Sequence, residues 1–469
     1  MFTLTGILNA QWEPDVRLTN NNADSYTCNN YAHCIAANGD SVYVVWYDNR
    51  DGNNEIYFKK SSDGGINWSS DIRLTSNAGN SAYPSISISG NVIFIVWQDN
   101  RDGNNEIYYK KSEDCGNTWG SDIRLTNNIY ISTNPSSVIS GQSIHIIWND
   151  TRVDQMNERV FYKKSLNTCN NWSNDTNLTD QSYSFPSISM SNNVVSLAWD
   201  KIIASGCIYY NKSENNGTNW NVNEQISGGN YLSALPSISS NGSNIYLVWE
   251  DNRTGDYSIY YSKSNNNGSN WGSNLLLTSS TAGTFRPQVF ANGVFVNLVW
   301  YDYRDGNAEI YYKLSQNSGA NWITDTRLTN STGSSINPSI AVSGNTVHVV
   351  WYDNRDGNSE IYYKRNPNGN ITGVNNGAEN ILERFSLSQN YPNPFNPTTK
   401  IKIEIPKSSF VKLIVYDVLG KEVARLVNEK LNAGMYMYDW NASNYSSGIY
   451  FYRLTSGDFT ELKKMVLIK

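Results

Sequence analysis

Histidine, cysteine and proline are scarce in this chain: three, five and twelve among 469 residues. Five cysteines are too few for a disulfide framework, and an odd number cannot all pair within one chain. Cys28 and Cys34 are close enough to bridge a loop or to remain thiols. Cys115 and Cys169 fall in turns, and Cys207 reads as a buried thiol. No stretch approaches the ~20 apolar residues of a membrane span. Basic residues are not in excess: 36 Lys and Arg face 42 Asp and Glu, for a net charge of -6. That balance argues against a nucleic-acid partner. No cofactor motif stands out, and neither a cofactor nor a metal is expected.

Aromatic residues, at 13% of the chain, are plentiful and mostly Tyr and Trp. They are also periodic. A Trp closes an apolar run at Trp46, Trp97, Trp148, Trp199, Trp249, Trp300 and Trp351, spaced by 51, 51, 51, 50, 51 and 51 residues. So strict a period means one supersecondary unit copied around a ring or along a stack. The clearest copy is NVIFIVWQDNRDGNNEIYYKKSEDCGNTW, from Asn91 to Trp119.

Each copy predicts four short strands. In the second they are Pro84 to Ser89, Val92 to Trp97, Glu106 to Lys111 and Asp122 to Thr126. The first puts Ile86 and Ile88 on one face and Ser on the other. The second is apolar throughout, as in a strand covered on both sides. Four antiparallel strands per ~50 residues describe a propeller blade, which neighbouring blades must cover. The ends complement each other: Asp15 to Thr19 reads as a fourth strand with no preceding three, and the last repeat ends near Lys364 with three strands and no fourth. Seven blades closed by the N-terminal strand are therefore expected over residues 11–365, with an open solenoid as the alternative.

Two turn families recur. One reads SSDGGINW from Ser61, SEDCGNTW from Ser112 and similarly in later copies. Ser61, Asp63, Gly65 and Trp68, and Ser112, Asp114, Gly116 and Trp119, suit a fold-back in which Ser and Asp bond turn amides and Gly takes positive φ. This turn resembles the Asp-box, S-x-D-x-G-x-T-W, of sialidases and BNR-repeat propellers, and the resemblance implies a scaffold role opposite the active face. The other family reads DNRDGN, with Arg50, Arg101, Arg152, Arg253, Arg304 and Arg355. Its spacing is not that of an EF-hand calcium loop, and a repeated Asp/Arg/Glu ion-pair cluster is the simpler reading.

Symmetry-breaking residues are the candidate site. Tyr26, Tyr31, Tyr83, Tyr130, Tyr183, Phe185, Tyr231 and Phe285 lie in the connections, where aromatic faces either stack on a ligand or pack between blades. Arg286 precedes Pro287 where other copies carry Tyr83, Asn134, Phe185, Leu235 or Asn337. His33 occupies the proline position of the first copy. The fourth copy loses the Arg-Asp-Gly turn and offers Lys201. Catalytic residues are not assignable: the sialidase resemblance implies three converging Arg, an Asp acid/base and a Tyr–Glu pair, plus an F/Y-R-I-P motif. The nearest stretch here is FRPQ at Phe285, without the Ile, and family members have six blades rather than seven.

Residues 366–384 read as a Gly/Asn linker, and residues 385–469 as a small Ig-like antiparallel sandwich. Tyr391-Pro392-Asn393-Pro394-Phe395, Tyr416-Asp417, Ser447-Gly448-Ile449-Tyr450 and the Lys464 to Lys469 ending closely resemble the type A sorting domain of type IX secretion. A carbohydrate-binding or adhesion domain is the alternative. The resemblance implies export, contact with the type IX machinery, and residence outside a Gram-negative Bacteroidetes-type cell. Residues 1–10 then read as the end of a signal peptide, or as a disordered terminus. The expectation is a monomeric propeller that binds an extracellular glycan or protein on its funnel face; a sialidase-like exo-glycosidase and a non-catalytic surface scaffold are the alternatives.

Overall fold

The computed structural model describes residues 12–28, 32–153, 155, 157–180, 183–201, 206–278, 280, 282–370, 385–390, 392–406, 409–431, 434–457 and 459–469. Tyr31, Tyr391 and the proposed signal remnant lie outside them. The fold is all-β, and the chain divides into two compact units, Met1–Val374 and Asn375–Lys469.

Among the described residues of the first unit are seven antiparallel sheets. Sheet one runs from the split first strand, Ser25–Tyr26 and Ile35–Asn38, through Ser41–Asp48 and Glu55–Ser61 to Ile72–Arg73. Sheet two comprises Ser81–Ser89, Val92–Asp99, Glu106–Ser112 and Ile123–Arg124. Sheet four comprises Tyr183–Ser191, Val194–Lys201, Cys207–Ser213 and Glu224–Gln225, and sheet five Ser233–Asn241, Asn244–Asp251, Ser258–Ser264 and Leu275–Leu276. Sheets three and six repeat the pattern. The fourth strands are shorter than the alternation suggested, with two paired residues each.

Sheet seven combines Ser335–Ser343, Thr346–Asp353 and Glu360–Asn366 with Val16–Arg17 from the start of the chain. Val16 pairs with Tyr363 and Arg17 with Tyr362. Asp15 then bonds both Arg355 and Lys364, and Arg17 bonds Glu360. The N-terminal segment thus supplies the missing fourth strand.

The serine face of each first strand has a purpose that the alternation alone does not reveal. These strands are sheet edges, and an unpaired backbone N–H away from water is costly. Ser85 Oγ accepts from the Ser137 amide of sheet three at 3.2 Å, Ser187 from Ile238 at 3.2 Å, and Ser237 from Val289 at 3.2 Å. Ser339 of sheet seven accepts from Cys34 of sheet one at 3.1 Å, so contact passes from the last sheet back to the first. The first strands enclose a channel of about 270 Å³, lined by Ile86, Ser137, Ile188, Ser239, Phe290 and Ala341 among others.

The seven periodic tryptophans are all buried between sheets, at 0–1% exposure. In six copies the indole N–H donates to the Asp two residues on, as Trp97 does to Asp99 at 3.0 Å.

In the second unit, a three-stranded sheet (Ser386–Leu387, Thr398–Ile405, Gly434–Asn441) and a four-stranded one (Ser409–Tyr416, Glu422–Leu431, Gly448–Ser456, Phe459–Leu467) share one core. Ile401, Leu413, Trp440, Tyr452 and Met465 lie at its centre. Phe395 is 2% exposed; its amide donates to Val466 and its carbonyl accepts from Ile468, tying the YPNPF segment to the terminal strand.

Candidate functional site

The two turn families lie on opposite faces of the ring. Register places the start of each first strand beside the end of the second, Ser132 opposite Asp150 for example, so inter-sheet connections share a face with the DNRDGN turns. The fold-back turns lie on the other face: the Cys115 amide donates to Asn91 in the turn between the first two strands.

The fold-back turn holds itself together and clamps its neighbour. Ser112 Oγ accepts from the Gly116 amide at 2.8 Å, and Asp114 accepts from the amides of Asn117 and Thr118. Its counterparts Ser61 and Asp63 do the same. Four donors, the Thr118 hydroxyl and amide, the Ser112 hydroxyl and the Asn117 amide, stabilise the charged Asp114 carboxylate and hold its pKa near 2. Gly116 has φ +74, and a Cβ there would come within 2.8 Å of Phe58 in the preceding sheet; at Gly65 the corresponding neighbour is the Tyr363 hydroxyl, 1.9 Å away. Trp119 stands edge-on to Phe58 at 5.0 Å, and Trp68 to Tyr363 at 4.9 Å. The tryptophan therefore covers the neighbouring sheet rather than its own.

The DNRDGN turns form ion-pair ladders. Arg101 bonds Asp99 at 2.6 Å and Asp122 at 2.8 Å while lying over the Tyr108 ring at 4.5 Å. Arg50, Arg152, Arg304 and Arg355 repeat this pairing, and Arg253 keeps its Asp251 partner. No group of three His, Cys, Asp or Glu able to hold a metal occurs among the described residues.

The face departs from repetition in the side chains carried by one repeated backbone feature. Each first strand of sheets two to seven has a register shift, as between Ala82 and Ser85. The residue before the proline there has positive φ: Tyr83 53°, Asn134 53°, Phe185 47°, Leu235 62°, Arg286 57° and Asn337 53°. None is glycine, and such strain costs about 1–3 kcal/mol per residue. Bulges of this kind re-aim a side chain beside a functional site. The six form a ring whose chemistry changes from sheet to sheet.

A second ring supports the first. The residue after each periodic Trp is Tyr47, Gln98, Asn149, Asp200, Glu250, Tyr301 or Tyr352, and it reaches toward the bulge of the next sheet. Gln98 accepts from the Asn134 amide at 3.1 Å, Asp200 from Leu235 at 3.0 Å, and Glu250 from Arg286 at 2.6 Å. Burial pushes the pKa values of Asp200 and Glu250 up to about 7. Glu158, bonded by Ser184 Oγ at 2.8 Å, is also raised by burial.

Between them the rings make an aromatic crescent. Tyr83 lies 5.4 Å from Tyr47, Tyr47 5.4 Å from Tyr26, and Tyr26 5.2 Å from Tyr352. Phe285 groups with Tyr257, Tyr301 and Tyr303 at 5.6 to 5.9 Å. Arg286 interacts with Tyr301, Tyr352 and Glu250. The crescent spans sheets five to seven, one and two; the remaining arc combines Asn134, Asn149, Glu158 and Asp200 with the apolar Phe185.

The sequence candidates divide accordingly. Tyr83, Phe285, Arg286 and Phe185 stand in the first strands at this face. Tyr130 lies on the rim, its hydroxyl accepting from Gln155, and Tyr231 lies over Arg253 at 4.3 Å. Tyr183 is 3% exposed and packs against Trp199 and Tyr209. His33 lines the central channel near Phe290, its pKa lowered to about 4 by burial. Lys201 stands where other sheets carry the Asp that bonds the periodic Trp, and Trp199 Nε1 has no hydrogen-bond partner. Cys28 and Cys34 form a disulfide, Cα atoms 6.0 Å apart, in the loop that splits the first strand of sheet one. Sequence reading missed Asp200, Glu250, Tyr301 and Tyr352, although the column after the periodic Trp carries their signal.

Residues 389–469 match the secretion system C-terminal sorting domain. The chain therefore carries a tail that directs it to export. No curated protein sequence matches the chain. Among solved structures, it is similar to a PL25 ulvan lyase bound to -[GlcA(1-4)Rha3S]-, at 11% identity and a TM-score of 0.54 over 75% of this chain and 95% of that one. It is also similar to the polysaccharide lyase Uly1, at 9% identity and a TM-score of 0.52 over 76% of this chain and 99% of that one. A Trypanosoma rangeli sialidase mutant with trans-sialidase activity covers 98% of this chain and 90% of its own at 10% identity and a TM-score of 0.47. At such identities the likeness concerns the fold, an all-β propeller.

Proposed function

We propose that the first unit is a seven-bladed propeller that binds an extracellular glycan on the face of the DNRDGN turns. In this reading the second unit is an Ig-like sandwich that routes the protein through type IX secretion to the surface or surroundings of a Bacteroidetes-type cell. The observation that carries it is the aromatic crescent from Tyr83 round to Phe285. Aromatic faces stack on sugar rings, and a concave mouth with a few polar groups suits a ligand.

A sialidase-like hydrolase has one observation in its favour: Glu250 lies beside Tyr257, Tyr301 and Arg286. Against it, the six repeat arginines stand one per sheet, each locked to an Asp of its own turn, so they are not gathered around one carboxylate.

Binding of the full chain to an array of bacterial and algal glycans tests the reading. Hits that Tyr352→Ala and Tyr83→Ala weaken ten-fold or more support it. Hits unaffected by both place the ligand elsewhere. Release of fluorophore from a sialoside, abolished by Glu250→Gln, moves the assignment to the hydrolase.

A further inference from the structure

In the second unit, the hairpin between Ser409–Tyr416 and Glu422–Leu431 ends in the turn Asp417-Val418-Leu419-Gly420. Asp417 fixes that turn. Its carboxylate accepts from the amides of Leu419 and Lys421, both at 2.9 Å, and its own amide donates to the Lys421 carbonyl at 3.0 Å. Gly420 takes φ +77. Small and polar residues suffice for such a turn, and hairpins of the first unit use them: Gly39-Asp40, Gly90-Asn91, Gly141-Gln142 and Gly344-Asn345. Here the tip is apolar instead. Val418 is 65% and Leu419 90% exposed, so a rigid turn holds two aliphatic side chains out in solvent.

The sheet beside the tip is concave. Strand alternation sends Leu413, Val415, Tyr452 and Leu454 into the core and turns Tyr416, Phe451 and Arg453 outward. Tyr416 faces Phe451 across the strands, and Arg453 faces the exposed Leu462. These four, with Asp417, Val418 and Gly420, line a groove of about 320 Å³. The Arg453 guanidinium lies over the Tyr416 ring at 4.7 Å and donates to its hydroxyl.

The charge around the groove has one sign. Residues 385–469 carry 11 Lys and Arg against 7 Asp and Glu, although the whole chain is negative. Lys421 in the turn, Arg453 in the groove and Lys464, opposite Phe451, take part in no ion pair among the described residues. The neighbouring acids are already bonded, Asp417 to the turn amides and Glu422 to Arg425 at 3.0 Å.

An exposed apolar patch rimmed by polar groups marks an interaction surface. An aliphatic finger beside an aromatic groove, flanked by cations, suits a protein of the converse form: a pocket for Leu419, a side chain for the groove and an acidic rim. A lipid surface would take the finger but has nothing to fill the groove. We propose that this tip and groove are the surface by which the second unit docks on a protein of the export machinery, with Leu419 as the inserted residue. The proposal rests on the match to a sorting domain; it specifies the face that is read and the chemistry of its reader.

The experiment expresses the full chain in a type IX-secreting bacterium and follows by immunoblot how it divides between the periplasm and the cell exterior. Leu419→Asp and Arg453→Glu are each expected to lower the exported fraction ten-fold or more, whereas Leu419→Met should be exported as the parent is. Phe410→Asp, an exposed position at the far end of the strand that leads to the turn, should leave export unchanged. Purified Leu419→Asp should keep the parent's Tm, since its side chain touches little of the fold. The proposal is overturned if Leu419→Asp and Arg453→Glu are exported like the parent, or if Phe410→Asp blocks export as strongly. It is overturned as well if the full chain binds phosphatidylglycerol vesicles, or elutes as a dimer, in a way that Leu419→Asp abolishes; the tip then serves a membrane or a second copy. Export of a chain lacking residues 385–469 would instead remove the sorting reading itself.

Discussion

The two faces of the same ring follow opposite rules. On the fold-back face, Ser112, Asp114, Gly116 and Trp119 recur with little change, and each has a partner in its own turn or in the adjacent sheet. On the other face, the bulge and the column after the periodic Trp change at nearly every sheet while their backbone geometry stays constant. Repetition marks what every sheet needs to pack against the next. Departure within a fixed geometry marks positions that packing leaves free to vary, which is where the proposed ligand would bind. The faces also differ electrically: donors around Asp63 and Asp114 lower their pKa values to about 2, whereas burial raises Asp200 and Glu250 to about 7.

The largest effect should come from the layer common to both faces. Trp249→Ala removes a fully buried ring between sheets and leaves Asp251 without its indole donor. It should cost about 3–5 kcal/mol, read as a fall in the chemical-denaturation midpoint of the first unit. Tyr303→Ala, at 39% exposure on the crescent, should stay within about 0.5 kcal/mol. If the two cost the same, the division into scaffold and site is wrong.

Next comes the fold-back glycine. Gly319 has φ +77, and a Cβ there would meet the Tyr261 hydroxyl at 2.0 Å. Gly319→Ala should lose about 1–3 kcal/mol through strain and displaced packing, with a lower Tm and unchanged glycan binding. At Asn354, on the opposite face, alanine should lower Tm less.

Most of the scaffold was legible because it is periodic. The Trp spacing, the DNRDGN turn and the unmatched strand at Asp15 together specify sheets that must close on one another, and Val16 pairing with Tyr363 realises that closure. The site was only half legible. Arg286 and Phe285 stood out by breaking the repeat in their own column. Asp200 and Glu250 did not, because the sequence pattern ends the second strand at the Trp before them, where a carboxylate reads as part of an exposed turn; the strands run on through Lys201 and Asp251. The role of the first-strand serines was hidden as well: alternation shows which face is polar, not that the polar face bonds a neighbour's backbone.

The acid residues should separate the faces by the sign of their pH dependence. A carboxyl raised in the folded state binds protons that the unfolded chain has lost, so stability falls as pH rises from the ordinary Glu range toward 7. Glu250→Gln should flatten the stability curve between pH 5 and 7 and make the protein more stable than the parent at pH 8. A parent curve that rises over that interval would remove the contrast.

The smallest effect should come from Asp114, and it has the opposite sign. Its carboxylate is solvent-facing, and the donors of Asn117 and Thr118 hold its pKa near 2. Between about pH 4 and pH 2 the unfolded chain takes up a proton before the folded turn does, so stability is present above that window and lost on descending through it. Asp114→Asn keeps the oxygen that accepts both amides, as Asn215 does in its own turn, while Asn317 accepts one. The variant should therefore match the parent at pH 7 and lose less stability on acidification. The third sheet's turn, SLNTCNNW, already uses Asn167 in this role without the turn glycine, its φ +71 passing to Cys169. Acid denaturation followed by Trp fluorescence checks it. Parallel acid limbs for parent and variant would mean that the fold-back turn works through shape alone and that its charge is incidental.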